Sequence, residues 1–432
     1  MKSTCRMLMI RRIGGLKLTR NASMARLLLL SFLAVICCGC GKTKYGYIDK
    51  TGRMVIPARY DGVRNFSEGL AAVRTGKKWG YIDSNGVVKI EPRIEGARNF
   101  SEGMAAFTVY HKQMTQACIV TAINRILHRD KTGAVNALDQ MFLYSWSSGY
   151  VDTTGRVVIP PVYSEWSDFK DGLANVEIAT SDGGRYVYID KNGKLAINYS
   201  FKESDDFNEG LAPVKVEGKW GFIDKSGKTV IPFKYDSAYG YYQGLASVEV
   251  GKKWGFLDRS GNMAIKPAFD AGSYFDKGLA PVLIGKKYGY IDMMGRLVIK
   301  PAYHYARHFS DGLACVDMGD EKIHEFGFID TSGRFAIGPQ FHSAWGFSEG
   351  LARVRTKKEA EERYGFIDTT GRYVIQPRFD LAAGFHDGRA VVGISQGKQS
   401  AAVIVVFIAG IMIVIVWGLV GVAFWKLRKS VS

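Results

Sequence analysis

The sequence predicts an all-β array of tandem repeats, and three recurring phrases predict it. An aromatic-Gly-aromatic-Ile-Asp cluster, an Asp-x-x-Gly turn leading into an apolar run and, in all but the fourth copy, a proline, and a Phe-x-x-Gly-Leu-Ala phrase follow one another nine times. The cluster glycines stand at 46, 80, 149, 221, 255, 289, 327 and 365, with Val187 in the fourth copy, at spacings of 34, 69, 38, 34, 34, 34, 38 and 38 residues. A fixed period of this length marks an architecture in which each unit buries its apolar face against its neighbours. It also lets a chain of 432 residues avoid splitting into several separate cores.

The amino-terminal element is a signal. Leu27 to Gly41 is an apolar stretch following Arg26, too short to span a bilayer comfortably and suited to a signal-peptide core. Its end, Val35-Ile36-Cys37-Cys38-Gly39-Cys40-Gly41, looks like a bacterial lipoprotein signal, with Cys40 the lipidation candidate because small Gly39 precedes it. Residues 1–40 are therefore read as a lipoprotein-like signal peptide, with Met24 as an alternative start.

Within each repeat the cluster is a strand, and Asp-x-x-Gly turns it back. Aspartate at the first turn position can accept backbone N–H bonds, and glycine at the fourth takes the left-handed conformation other residues resist. Representative sets are Trp79, Gly80, Asp83 and Gly86; Trp220, Gly221, Asp224 and Gly227; and Trp254, Gly255, Asp258 and Gly261. The strand after the turn is short and apolar, as in Thr229-Val230-Ile231, and proline marks where its pairing should stop. Phe-x-x-Gly then opens a further strand such as Leu70-Ala71-Ala72-Val73, which a lysine-rich turn joins to the next cluster. The unit so read is a three-stranded meander. The ring before each glycine is expected to build an aromatic ladder through the core. One carboxylate per repeat lacks the clustered ligands of a calcium loop.

The spacing of 69 residues is one period plus an insertion. Between Phe107 and Ser148 the apolar pattern turns helical, with Ile119, Ile123, Ile126 and Leu127, then Val135, Leu138, Met141 and Phe142. Residues 108–147 are expected to form a small helical insertion within the second repeat, and such insertions tend to mark a binding face.

The carboxyl-terminal element is a transmembrane helix over residues 401–425, an unbroken apolar run followed by Lys426, Arg428 and Lys429. The positive-inside rule places residues 426–432 in the cytoplasm and the repeats outside it. The net charge of +17 does not oppose this. Seven of the cations precede residue 41 and three follow residue 400, with no acid in either stretch, so the centre carries only +7. A spread excess of that size does not make a nucleic-acid footprint, which would be a clustered patch.

Chemistry-bearing residues are few. Cys118 and Cys315 are the only cysteines beyond the signal, which makes neither a disulfide framework nor a metal site. His304 and His308 are four apart, but no glutamate stands beside His304 as a zinc protease requires. No nucleophile elbow, phosphate loop or dinucleotide fingerprint occurs, so no catalytic, cofactor-binding or metal residue is assigned.

Lys78-Trp79-Gly80-Tyr81-Ile82-Asp83, Lys219-Trp220-Gly221-Phe222-Ile223-Asp224 and Lys253-Trp254-Gly255-Phe256-Leu257-Asp258 resemble the WG (KWG) repeat of bacterial proteins, over residues 45–394. The third copy, Ser148-Gly149-Tyr150-Val151-Asp152, and the fourth, with Val187, depart from it and are expected to pack less tightly. The resemblance implies an all-β repeat domain used for binding, with no activity to carry over. An open solenoid-like array is the expected arrangement, with a closed propeller-like ring as the alternative. The phase favours meeting ends: the array opens at Tyr45 on a middle strand and closes on Arg389–Ile394, a first strand without a successor. The chain is thus read as a non-enzymatic, membrane-anchored protein binding a protein or an envelope polymer, with carbohydrate or cell-wall recognition by exposed aromatics as the alternative.

Overall fold

The computed structural model describes residues 43–114, 142–180, 183–320, 323–356 and 362–395. Residues 1–42, 115–141 and 396–432 lie outside them, and with them Cys40, the core of the expected helical insertion and the expected transmembrane segment. Among the described residues every element is a strand, and no helix is long and apolar enough to cross a membrane.

The repeating sheet has four antiparallel strands rather than three. Gly62–Val63, Leu70–Thr75, Lys78–Asp83 and Val88–Ile94 form one such sheet in that order. The added first strand belongs to the Phe-x-x-Gly phrase, whose two residues before Leu form a tight hairpin with the second strand. Glu68 and Gly69 there have φ of 54° and 76°, and all nine copies of this pair lie in the left-handed region, as a type I′ turn requires. The fourth strand does not end at its proline. Thr229–Tyr235 runs through Pro232, with a register shift between the Phe222–Ile231 and Trp220–Tyr235 pairs. Proline needs no ladder bond at such a bulge, so it marks a bend and not an end.

The cluster glycine exists because of that bulge. A Cβ on any of the eight would lie no farther than 2.8 Å from the carbonyl oxygen of the isoleucine bent over it, Ile231 for Gly221 and Ile265 for Gly255. Gly149 is packed just as closely, so the third copy is tight after all. The fourth is not. With Val187 in the glycine slot, and no proline after its turn, the fourth strand is reduced to single bridges, Tyr186–Phe201 and Ile189–Leu195. Its sheet keeps only Glu165–Trp166, Ala174–Thr180 and Gly183–Ile189 as strands.

The aromatic ladder is real but uses the other ring of each cluster. Tyr81, Phe222 and Phe256, after the glycine, are wholly buried, whereas Trp79, Trp220 and Trp254 are half-buried. Each buried ring meets the phenylalanine or tyrosine of the next repeat, from Tyr47–Phe66 to Phe366–Phe385. Centroids in all nine pairs are 4.8–5.1 Å apart with planes 56–67° apart. Edge-to-face pairs of this kind add about 0.5–1.5 kcal/mol each beyond their burial. Where the cluster ring is tyrosine, its hydroxyl also donates across the boundary to a first-strand carbonyl, as from Tyr81 to Arg98 at 2.8 Å and Tyr290 to Arg307 at 2.7 Å.

Two further contacts repeat between neighbours. The turn glycine of one repeat seats on the fourth-strand isoleucine of the repeat before it, Gly261 on Ile231 and Gly86 on Ile56. The hairpin side chain of one repeat accepts the glycine N–H of the next hairpin: Glu68 from Gly103 at 2.9 Å, Glu209 from Gly244 at 3.0 Å, Asp311 from Gly350 at 2.7 Å. A non-glycine residue in the left-handed region costs roughly 1–2 kcal/mol, and a hydrogen bond to a charged group returns about 1.5–3 kcal/mol. The strained residue is therefore held by the neighbour it caps.

All of these contacts run on from the ninth repeat to the first. Leu381–His386 and Arg389–Ser395 share a sheet with Thr43–Ile48 and Met54–Tyr60, Gly52 seats on Ile375, and Asp387 accepts the Gly69 N–H at 3.1 Å. The series of nine sheets thus closes on itself within the compact unit Lys44–Ile394, correcting the open array and bearing out the meeting of the two ends. One junction is continuous: Phe335–Ser348 is the fourth strand of one sheet and the first of the next, giving a seven-stranded sheet. The insertion is corrected at its margins. Met104–Met114 and Phe142–Asp152 pair in register over their whole length, so residues 108–114 and 142–147 extend the second and third strands and are not helical.

Two substitutions test this account. Gly255→Val should lower unfolding stability by about 2 kcal/mol or more, through the clash with the Ile265 carbonyl; a denaturant curve matching the parent would remove the close-approach explanation. Lys277, the one hairpin residue of the nine that carries no acceptor for its neighbour's N–H, should gain stability as Lys277→Glu, by about 1 kcal/mol in the same measurement.

Candidate binding surface

The recurrent residues named from the sequence are brought into the joints between and within sheets. Gly80, Gly221 and Gly255 lie beneath bulges. Gly86, Gly227 and Gly261 have φ of 81–84° and seat on the preceding repeat. Asp83, Asp224 and Asp258 hold their turns, each Oδ1 accepting the N–H two and four residues on, at 2.9–3.0 Å. Hydroxyl donors strengthen the grip where present: Ser226 donates to Asp224 and Thr370 to Asp368, both at 2.6 Å, and hold these carboxyls below the usual range. The half-buried tryptophans carry cations or rings on their faces. Arg64 and Arg74 lie 5.6 Å from Trp79, Lys215 lies 5.9 Å from Trp220, and Tyr239 stacks on Trp254 at 5.2 Å.

What the phrases do not repeat collects at the ends of the first strands, in the positions flanking each Phe-x-x-Gly ring. Neighbouring sheets approach most closely there, through hydroxyl bonds such as Ser67 to the Phe100 carbonyl at 2.8 Å and Ser101 to that of Phe169 at 2.7 Å. In a closed series such strands face the common axis. Repeats on one side supply Arg64, Arg98, Asn99, Asp168 and Asp206. Burial pushes the Asp168 carboxyl up, opposed by Arg98 and reinforced by Asp206, while Lys170 pairs with Asp206 at 2.8 Å. Repeats on the other side supply a stack of rings. Tyr242 lies 4.4 Å from Tyr274, and Tyr274 lies 3.8 Å from His308, whose Nε2 is 3.0 Å from the Ser273 hydroxyl. Burial lowers the His308 pKa, keeping the ring neutral. Four buried polar atoms here have no partner among the described residues: Asn99 Oδ1, Asp168 Oδ1, Arg307 Nε and His308 Nδ1. Among the described residues no group of three or more His, Cys, Asp or Glu side chains is placed to hold a metal ion.

A second concavity follows from the fourth-repeat defect. Where its last strand bows away, Tyr199, Phe201 and Lys202 face Val216, Gly227 and Phe233 of the next repeat across a cleft of about 810 Å³. Sequence reasoning missed both surfaces, since each is made of residues that fail to recur. Val187 was the available signal for the cleft.

A model of the WG-containing repeat matches the chain nine times, at residues 45–79, 79–110, 149–179, 188–220, 220–254, 254–288, 288–321, 326–358 and 364–395. The matches cover most of its length, and the chain belongs to the WG repeat family. No curated protein matches. Solved structures with similar strand arrangements include Hsv2p of Kluyveromyces lactis, at 8% identity and a TM-score of 0.31 over 48% of this chain and 74% of that one. Another is the Pyrococcus horikoshii acylaminoacyl peptidase, at 9% identity and 0.33 over 67% and 55%. A third is PorZ, a surface component of the type-IX secretion system of Porphyromonas gingivalis, at 8% and 0.28 over 73% and 44%.

The turn carboxylates set an acid limit. Asp224, Asp330 and Asp368 have folded pKa values below the ordinary 3.8, chiefly through their hydroxyl donors. Their contribution is complete above about pH 4 and is lost as pH falls through the lowered folded values. A triple Asp→Asn variant at these positions should therefore show a shallower loss of melting temperature between pH 5 and about pH 2 than the parent. Parallel curves would remove the carboxylates from the acid response.

Proposed function

We propose that this chain is an exported, membrane-anchored scaffold that holds a protein or an envelope polymer against its first-strand surface. The observation that carries the reading is the division of labour among residues. Those that recur are spent on turns, bulges and joints, while the variable first-strand positions leave Asn99, Asp168 and His308 with buried polar atoms lacking a partner. Leaving such a group unpaired costs about 1–3 kcal/mol, which a ligand's hydrogen bonds would recover. The lipoprotein-like signal ending at Cys40 and the apolar run at residues 401–425 support an extracytoplasmic position for the repeats. A propeller-like ring with its axial surface as the binding face is the arrangement this reading uses.

A second reading is favoured by one feature. Asp168, whose pKa burial raises beside the paired Asp206, has the makings of a general acid next to a carboxylate. Release of reducing ends from purified peptidoglycan by the parent and not by Asp168→Asn would establish that enzyme reading in place of the scaffold.

Proximity labelling from the full chain, alongside co-sedimentation with peptidoglycan, tests the scaffold. Comparison with an Asn99→Ala, Asp168→Ala, His308→Ala variant of matching melting temperature should remove at least about ninety per cent of one labelled species or of the sedimented fraction, the change expected for central interface residues. An identical labelling and sedimentation pattern in the two proteins would overturn the first-strand surface as the binding site.

A further inference from the structure

In every four-stranded sheet the turn between second and third strands lies at one end, and the other two turns lie at the opposite end. Bonds from a glycine N–H to the side chain of the preceding hairpin, a carboxylate in seven cases and the Gln243 amide in one, link one hairpin to the next in eight of the nine junctions, so all nine sheets stand the same way round. The unit therefore has two unlike rims. On the second-to-third-turn rim, Lys44, Lys78, Lys219 and Lys253 pair with Asp61, Glu95, Asp236 and Asp270 at 2.5–3.1 Å. The turn tips beside them carry Lys77, Lys252 and Lys286, all exposed and without an ion pair among the described residues. The opposite rim carries the hairpin acids Glu68, Glu102, Glu209, Asp311, Glu349 and Asp387, engaged with backbone N–H groups.

Both chain ends leave from the lysine rim. Thr43 and Ser395 stand where the closing sheet would have its second-to-third turn. The extended arm leaves from it too, with Tyr110 54% and Trp146 53% exposed near its described end. Only residues 396–400 separate Ser395 from the apolar run beginning at Ala401. Five residues reach at most about 18 Å when fully extended, and electrostatic attraction from a charged surface extends about 8 Å at physiological ionic strength.

We infer that the lysine rim is a docking surface for a bilayer leaflet bearing anionic headgroups, with Lys77, Lys252 and Lys286 as its contacts and Tyr110 and Trp146 as interfacial anchors. The inference rests on the membrane anchoring proposed above. Unpaired lysines close to an anionic leaflet are drawn toward it, and amphipathic rings favour the headgroup level. The ends of the chain hold this rim, and not the opposite one, toward the bilayer.

Full chain reconstituted into vesicles of phosphatidylcholine alone, or with phosphatidylglycerol, can be acetylated by a membrane-impermeant reagent and read by mass spectrometry. Lys77, Lys252 and Lys286 should react at least about threefold more slowly on the anionic vesicles, while Lys225 and Lys228 on the opposite rim react equally on both. High salt, or reversal as Lys77→Glu, Lys252→Glu and Lys286→Glu read at Lys253 and Lys287, should abolish the difference. Flotation separates the two claims. A chain that floats with both vesicles yet shows equal rates overturns the docking rim and leaves the anchor standing. A chain that floats with neither overturns the anchor and the rim together.

Discussion

The fold depends on one interlock, the joint between consecutive repeats. A buried ring meets its edge-to-face partner, a turn glycine seats on an isoleucine, and a strained hairpin side chain caps the next hairpin. Each piece is worth on the order of one kilocalorie, and none has a partner inside its own repeat. An open seam would leave a turn glycine unseated and a left-handed residue uncompensated. The closing junctions avoid both costs, because Gly52 seats on Ile375 and Asp387 caps Gly69 as at other joints. Closure is thus the same interaction applied once more, with no special device at the seam.

Much of this was legible in the sequence. The all-β class, the nine units, the Asp-x-x-Gly turns and the meeting of the ends all follow from residues that recur at fixed spacing. Where the reading failed, it failed on residues whose role is set by a neighbouring repeat. Trp79 looked like the core ring because it is larger, but it stands two residues from Tyr81 on the same face of the strand, and of the two only Tyr81 is wholly buried. The hairpin pair Glu68-Gly69 hid inside a phrase read as one strand, since a glutamate with positive φ is unusual unless something beyond its own repeat holds it. Pro232 read as a stop because the bulge that accommodates it is visible only from the partner strand.

The candidate surface was less legible, for a related reason. Asn99, Asp168, Tyr274 and His308 occupy equivalent positions in different repeats but share no chemistry, so no pattern gathers them. They become neighbours only when the first strands converge. Single departures proved more telling than the repeats themselves. Val187 replaces the one residue type that fits beneath a bulge, and a cleft opens beside it. Lys277 replaces an acceptor, and one joint of the nine lacks its cap.

The closing sheet also orders events in time. Its strands come from opposite ends of the polypeptide, and Gly69 and Asp387, which bond across the seam, stand 318 residues apart. The entropy of joining such distant segments rises only slowly with length, so the delay is not mainly thermodynamic. It comes from waiting: while the chain is being synthesised, Thr43–Ile48 keeps a bare edge until Arg389–Ser395 arrives, and bare edges invite pairing with other chains. The newborn protein is most vulnerable just before it is finished, and any chain ending early carries that adhesive edge permanently.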